Sequence, residues 1–244
     1  MSTHASTHAP VLNARPLTAA PPTTLSAVSL SVTSVSGQAV GVSFNGLNGN
    51  NPGSYGNFIS IFQTTSEDFP FGTTNKPIAT YNVTGNVSGS AVIPANILLN
   101  TSYVVGYSVG AQLATPAQPY GNVCATAYIP PTGSNFPTAG PSIVLNDLQS
   151  NSISCSYNVP DGLTPQANGA WAGLWVGNNP SYTIAPTSYA QVNSNMAQGG
   201  PLIFNNVQIS RGTLFSIALF MSGWVNGGTG STQTAMAASI QFSS

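Results

Sequence analysis

From Leu25 onward, apolar and polar positions alternate with a period of two and hardly stop. That spacing puts alternate side chains on opposite faces of an extended strand, whereas a helix would repeat its apolar positions at three and four. It predicts strands near 28–35, 39–45, 57–63, 78–83, 90–94, 102–109 and 123–129. A second series follows near 142–148, 152–159, 170–177, 187–192, 201–205, 213–222 and 233–242. Clusters of Gly, Pro and Asn, such as Asn48-Gly49-Asn50-Asn51-Pro52-Gly53, separate the strands as turns. No stretch carries the pattern of a long amphipathic helix, so the expected class is all-β.

The two series are one pattern written twice. The first reads Leu30-x-Val32-x-x-Val35, then Val40-x-Val42-x-Phe44, then Gly56-Asn57-Phe58-Ile59-Ser60-Ile61-Phe62 after a polar loop. Counting on 113 positions without a gap gives Ile143-x-Leu145-x-x-Leu148, Ile153-x-Cys155-x-Tyr157 and Gly169-Ala170-Trp171-Ala172-Gly173-Leu174-Trp175. A repeat of this length predicts two domains of about 105 residues, each large enough for its own core. The expected organisation is an extended or disordered arm over 1–24, a β-sandwich over 25–130, a Pro/Gly linker over 131–141 and a second β-sandwich over 142–244.

The spacing of Leu30, Val32 and Val35, followed by Val40, Val42 and Phe44, is similar to the first two strands of fibronectin type III domains. In that family the last of these positions is usually Trp; here it is Phe44 and Tyr157. Ile97-x-x-x-Thr101-x-Tyr103-x-Val105-x-Tyr107 looks like the same family's run into its sixth strand. The resemblance implies two tandem seven-stranded antiparallel β-sandwiches of the fibronectin III or immunoglobulin-like kind. It makes Tyr103 the tyrosine-corner residue, whose hydroxyl bonds to backbone. The second unit reads Ile209-x-x-x-Thr213-x-Phe215-x-Ile217-x-Leu219, so the hydroxyl is lost there.

Charge narrows the partners. Only Arg15, Lys76, Arg211, Glu67, Asp68, Asp147 and Asp161 are formally charged, against about a quarter of the residues in an average domain. Three cations cannot neutralise enough phosphates to drive nucleic-acid binding, and no polybasic patch meets an anionic membrane. No 18-residue apolar run is present to span a bilayer. A surface of Ser, Thr, Asn, Gln and Gly with near-zero net charge has little long-range repulsion, which favours association. The N-terminus lacks a cationic start followed by an apolar core, so no signal peptide is recognisable. An extracellular surface or a virion suits the composition. Asn82, Asn86 and Asn100 head glycosylation sequons, which chance also supplies in a chain this rich in Asn, Ser and Thr.

The same scarcity argues against catalysis. Acid–base or metal chemistry needs titratable groups brought together, and outside the arm the chain has no histidine. His4 and His8 would share a helix face, but Pro10 and the Ser/Thr content oppose a helix there. Glu67-Asp68 lack the alternating spacing of a calcium loop. No cofactor, no metal and no enzyme activity is expected. Cys124 and Cys155 fall in different units and at non-equivalent positions, so they are either two small buried hydrophobes or a bridge between domains.

Aromatic residues carry the remaining signal. Phe58 and Phe62, like Trp171 and Trp175, stand four apart on a third strand and share one face, while Ile59 and Ile61, or Ala172, Leu174 and Val176, form the other. Both faces are apolar, so one packs in the core and the other meets a loop, a neighbouring domain or another molecule. Trp224, in a Gly-rich segment, sits where the resemblance places a ligand-binding loop, and Phe69 and Phe71 flank Pro70 as an exposed or a capped aromatic loop. Two functions fit these features. The first is a structural protein that self-assembles as a homo-oligomer, in a filament, surface layer or virion, with Leu25 to Leu30 at the base of the arm able to extend a neighbour's sheet. The second is a carbohydrate-binding or adhesive module that presents aromatic platforms to glycans.

Overall fold

The computed structural model describes residues 21–72, 75–114 and 117–244. The expected arm over 1–24, with His4, His8 and Arg15, lies outside the described residues except at its end. Over the described residues the chain is all-β, 45% strand and 2% helix. Its strands are β1 (Thr24–Ala27), β2 (Ser29–Val35), β3 (Ala39–Asn45), β4 (Phe58–Thr64), β5 (Ala79–Asn82), β6 (Ser88–Pro94), β7 (Ser102–Ser108) and β8 (Val123–Ile129). They continue as β9 (Thr138–Ala139), β10 (Ser142–Leu148), β11 (Ser152–Asn158), β12 (Trp171–Val176), β13 (Ser188–Gln191), β14 (Gln198–Asn205), β15 (Leu214–Phe220) and β16 (Met236–Ser243). One short helix, α1 (Pro52–Tyr55), is capped by the Asn51 side chain, which accepts from Ser54 N, and closed by Gly56 at φ +76°.

Four antiparallel sheets result. In the first half β2-β3-β6 lies over β5-β4-β7-β8-β9, and in the second β10-β11-β14 lies over β13-β12-β15-β16-β1. Each three-stranded sheet meets its larger partner through its outer strands, β2 along β7 and β8, and β10 along β16. The repeat extends to irregularities. The β2–β3 register shifts between Val32 and Ser34, and the β10–β11 register shifts at the matching Leu145 and Asp147. These bulges explain why two polar residues stand between Val32 and Val35: the extra residue returns the next apolar side chain to the core face.

The core faces of the third strands follow from register. Phe44 packs on Tyr107 with ring centroids 5.6 Å apart, and Tyr107 pairs with Ile59. Ile59 and Ile61 therefore face the three-stranded sheet, and Ala172 and Leu174, paired with Leu219 and Ile217, do the same in the second half. Phe58, Phe62, Trp171 and Trp175 lie on the outer faces, and all four are buried.

Two short strands cross between the halves. The segment before the first unit, β1, pairs with β16 of the second, and the segment before the second unit, β9, pairs with β8 of the first. The pairings are copies of each other. Leu25 opposes Ile240 and Thr138 opposes Ala127, and both residues of the second pair are 113 positions from a residue of the first. The crossings meet where Gly140 lies beside the Val28 carbonyl. A strand expected at the base of the arm is thus present, but it completes a sheet edge within its own chain and so covers an edge that would otherwise template association.

Candidate interaction sites

The outer aromatic faces are covered from within the chain. In the first half Phe69 packs edge-on to Phe62 at 5.1 Å, and Tyr120 does so at 5.0 Å. The Phe69 ring lies directly on Gly106 of β7, where any Cβ would collide with it. Phe71 packs on Phe69 and reaches Gly162 of the second half. In the second half Trp171 stacks on Phe220 at 4.2 Å, and its indole N–H donates to the Ser222 carbonyl. Trp175 lies over Gly173 and donates to the Ile184 carbonyl at 2.9 Å.

Of the aromatic residues expected to form an interface, Phe58, Phe62, Phe69, Phe71, Trp171 and Trp175 are therefore interior, and Trp224 is half-buried against Trp171. The reason is local: each half folds a loop carrying its own rings back over its third strand, which hides apolar area from water without a partner.

The seam between the halves is polar and hydrogen-bonded. Gln118 is its hub. Its backbone N–H donates to Asn168 Oδ1, and its side-chain oxygen accepts from both Asn168 Nδ2 and Thr164 N, all at 3.0 Å. Its Nε2 donates to the Gly162 carbonyl at 3.1 Å. Tyr55 stacks on Tyr182 across the seam at 5.5 Å, and Tyr182 lies against Gly49, the repeat counterpart of Gly162. Burial together with the neighbouring Tyr107, Cys124 and Tyr55 pushes the Tyr182 hydroxyl up.

Chemically reactive groups are few and scattered. Among the described residues no group of three His, Cys, Asp or Glu side chains is placed to hold a metal ion. Asp68 accepts from the Ser66 hydroxyl and Asp147 from the Gln149 amide, both at exposed positions. Cys124 and Cys155 are both free and buried; burial raises both thiols, Cys155 to about 12. A thiol so raised is protonated at neutral pH and is a poor nucleophile.

What the chain does present to solvent is a pair of polar sheet faces with one charged side chain between them, Asp147, which stands in the row of Ser154 and Ile203. On the outer face of β2-β3-β6, Ser31, Ser43 and Ser90 stand in one row and Ser29, Asn45 and Ser88 in the next, with Val92 beyond them 70% exposed. On β10-β11-β14, Ser142, Asn158 and Gln198 form a row, and Val144 and Ile203 are exposed. Which face of each sheet is wet follows from this register. Among the described residues no helix is long and apolar enough to cross a membrane. Neither a protein-family model nor a curated protein sequence matches this chain.

Proposed function

We propose that this chain is a non-enzymatic structural protein that self-assembles through the outer faces of its three-stranded sheets. The observation that carries this reading is the character of those faces: they are rich in hydroxyls and amides, hold a single charged side chain, Asp147, and carry exposed Val92, Val144 and Ile203. Two copies brought together through β2-β3-β6 meet no like charge, and hydroxyls and amides are both donors and acceptors, so that neutral face is complementary to itself. The low charge of the whole chain removes the repulsion that keeps most soluble proteins apart.

We read the architecture as a tandem of two seven-stranded sandwiches, β2 to β8 and β10 to β16, similar to fibronectin type III domains, and such a tandem suits repeated association. The pairing of a three-stranded with a five-stranded sheet in each half, four of the five strands coming from that half's own unit, and the Tyr103 hydroxyl that accepts from Leu98 N at 2.9 Å support that family reading. A filament, surface layer or shell is the assembly such a building block suits. Sedimentation velocity and negative-stain microscopy over a wide concentration range test it. The full chain should form larger species as concentration rises, and Val92→Lys with Ile203→Lys should shift the onset upward by tenfold or more. A strict monomer at the highest concentration would remove the reading.

A further inference from the structure

The two third strands have the same neighbours by register but not the same side chains. In the second half Trp171 is flanked by Tyr189 of β13 at 5.8 Å and by Trp224 at 6.4 Å. Gly173 pairs with Tyr189, and its repeat counterpart Ser60 pairs with Thr80, so Thr80 stands where Tyr189 stands. The backbone of Trp224 passes Gly169, and that of Ala111 passes Gly56 in the same way, each after a glycine of positive φ (Gly110 at +104°, Gly223 at +97°). Ala111 therefore takes the place of Trp224. Phe58 takes that of Trp171 itself.

Three large rings are thus replaced by a smaller ring, a threonine and an alanine at one place. The result is an open pocket of about 280 Å³ in the first half, with Phe58 and Tyr120 among its walls and Thr80, Asn82 and Gln112 around them. The space filled by an indole in one half is vacant in the other. The volume is just below the range of drug-sized sites, about 300–1,000 Å³, and suits a single ring.

We propose that this pocket binds one neutral sugar ring, the terminal or branch residue of a glycan. The lining holds no charged side chain, which leaves no partner for an anion or cation. The aromatic walls offer an apolar surface to the C–H face of a pyranose. Thr80 brings a hydroxyl and Asn82 and Gln112 bring amides, each able to donate and accept, which matches the paired donor and acceptor character of sugar hydroxyls. A purely apolar ring would strip water from these groups and return nothing to them.

The test is titration of the full chain, followed by NMR, with the methyl glycosides of glucose, galactose, mannose and N-acetylglucosamine, and with indole in parallel. At least one glycoside should give saturable shifts at Phe58 and Tyr120. Ala111→Trp, which copies the second half, should weaken that binding at least tenfold while leaving the melting temperature equal or higher. Asn82→Ala keeps the pocket open and should weaken the sugar but not indole. No saturable shift with any glycoside, saturation by indole alone, or sugar binding unchanged in Ala111→Trp would each overturn the assignment.

Discussion

The two halves of this chain share strand order, bulges and reciprocal edge strands, yet they solve one packing problem differently. In the second half the outer face of β12 is sealed by large rings, with Trp171 fully buried and stacked on Phe220. In the first half the outer face of β4 is sealed at one end by Phe69 and Tyr120 and left open at the other beside Phe58. A duplicated backbone holds its shape through the core-facing residues, so the outer face is free to diverge. The second half has used that freedom for packing and the first for a cavity. The sharpest way to break the comparison is to cut both strands at their aromatic positions. Trp171→Ala should cost near 5 kcal/mol, and Phe58→Ala, which already borders open space, about 3 kcal/mol, in urea unfolding. Equal losses would mean that the pocket in the first half has no energetic consequence.

The halves also differ in where each keeps its thiol. Cys155 stands on β11 where the first half has Val42, and Cys124 stands on β8 where the second has Ala237. Burial raises both thiols in the folded chain, Cys155 to about 12, above the unfolded value of about 8.5. A raised folded value means that stability is fully present below the unfolded value and is lost as pH climbs toward the folded one. At pH 10 each thiol should remove about 2 kcal/mol relative to pH 7, because only the unfolded chain releases the proton. Making each half copy the other, with Cys155→Val and Cys124→Ala, should flatten this part of the alkaline slope in chemical denaturation. An unchanged slope would assign it to the buried tyrosines, of which Tyr107 is pushed up to about 12 by burial.

The seam tests whether the halves fold as one. Asn168 is buried, and its side chain both accepts from Gln118 N and donates to the Gln118 amide oxygen. Asn168→Ala strands those groups and should cost about 1–3 kcal/mol, with Gln118→Ala similar. In a double-mutant cycle the pair should couple by about 1 kcal/mol. With β1 and β9 already crossing between the halves, thermal unfolding of the variants should stay a single transition. Two separated transitions would show that the crossed strands do not join the halves.

Much of this was legible in the chain and some could not have been. Alternation of period two located the strands because each core face is apolar without a break, and the 113-residue offset, unbroken from Leu30 to Phe62, located the duplication. What alternation cannot tell is which of two apolar faces is the core: Phe58 and Ile59 are equally apolar, and only the pairing of Ile59 with Tyr107, under Phe44, decides. The crossing was hidden for a different reason. Thr138–Ala139 is two residues long in a Pro/Gly-rich stretch, and the strand at Thr24–Ala27, although the alternation from Leu25 announces it, is largely exposed, so neither has a buried face that names its partner. The pocket escaped notice because it is made by absences, Thr80 and Ala111, which look unremarkable until Tyr189 and Trp224 are set beside them.

The smallest expected effect concerns the corner where each half enters the strand that pairs with its third. In the first half the Tyr103 hydroxyl accepts from Leu98 N at 2.9 Å and ties that corner down. In the second half Phe215 occupies the tyrosine's place and stacks on Phe242 at 5.7 Å, with no hydroxyl to offer. Its corner is tied by Ser244 instead. Ser244 accepts through its carbonyl from Gly212 N at 2.7 Å and donates its hydroxyl to the Ser210 carbonyl, while its backbone N–H donates to Thr213 O at 3.0 Å. Two chemistries thus restrain equivalent loops. Tyr103→Phe should cost about 1 kcal/mol, since it removes one hydrogen bond and leaves Leu98 N to water. Ser244→Ala should cost less than 1 kcal/mol, because the two backbone bonds survive the loss of the hydroxyl. Hydrogen exchange reads the difference directly. Tyr103→Phe should accelerate exchange at Leu98 without changing Gly212, and Ser244→Ala should leave Leu98 untouched. Acceleration of both sites by either variant would mean that the corners are coupled across the seam, and not held separately by a hydroxyl in one half and a serine in the other.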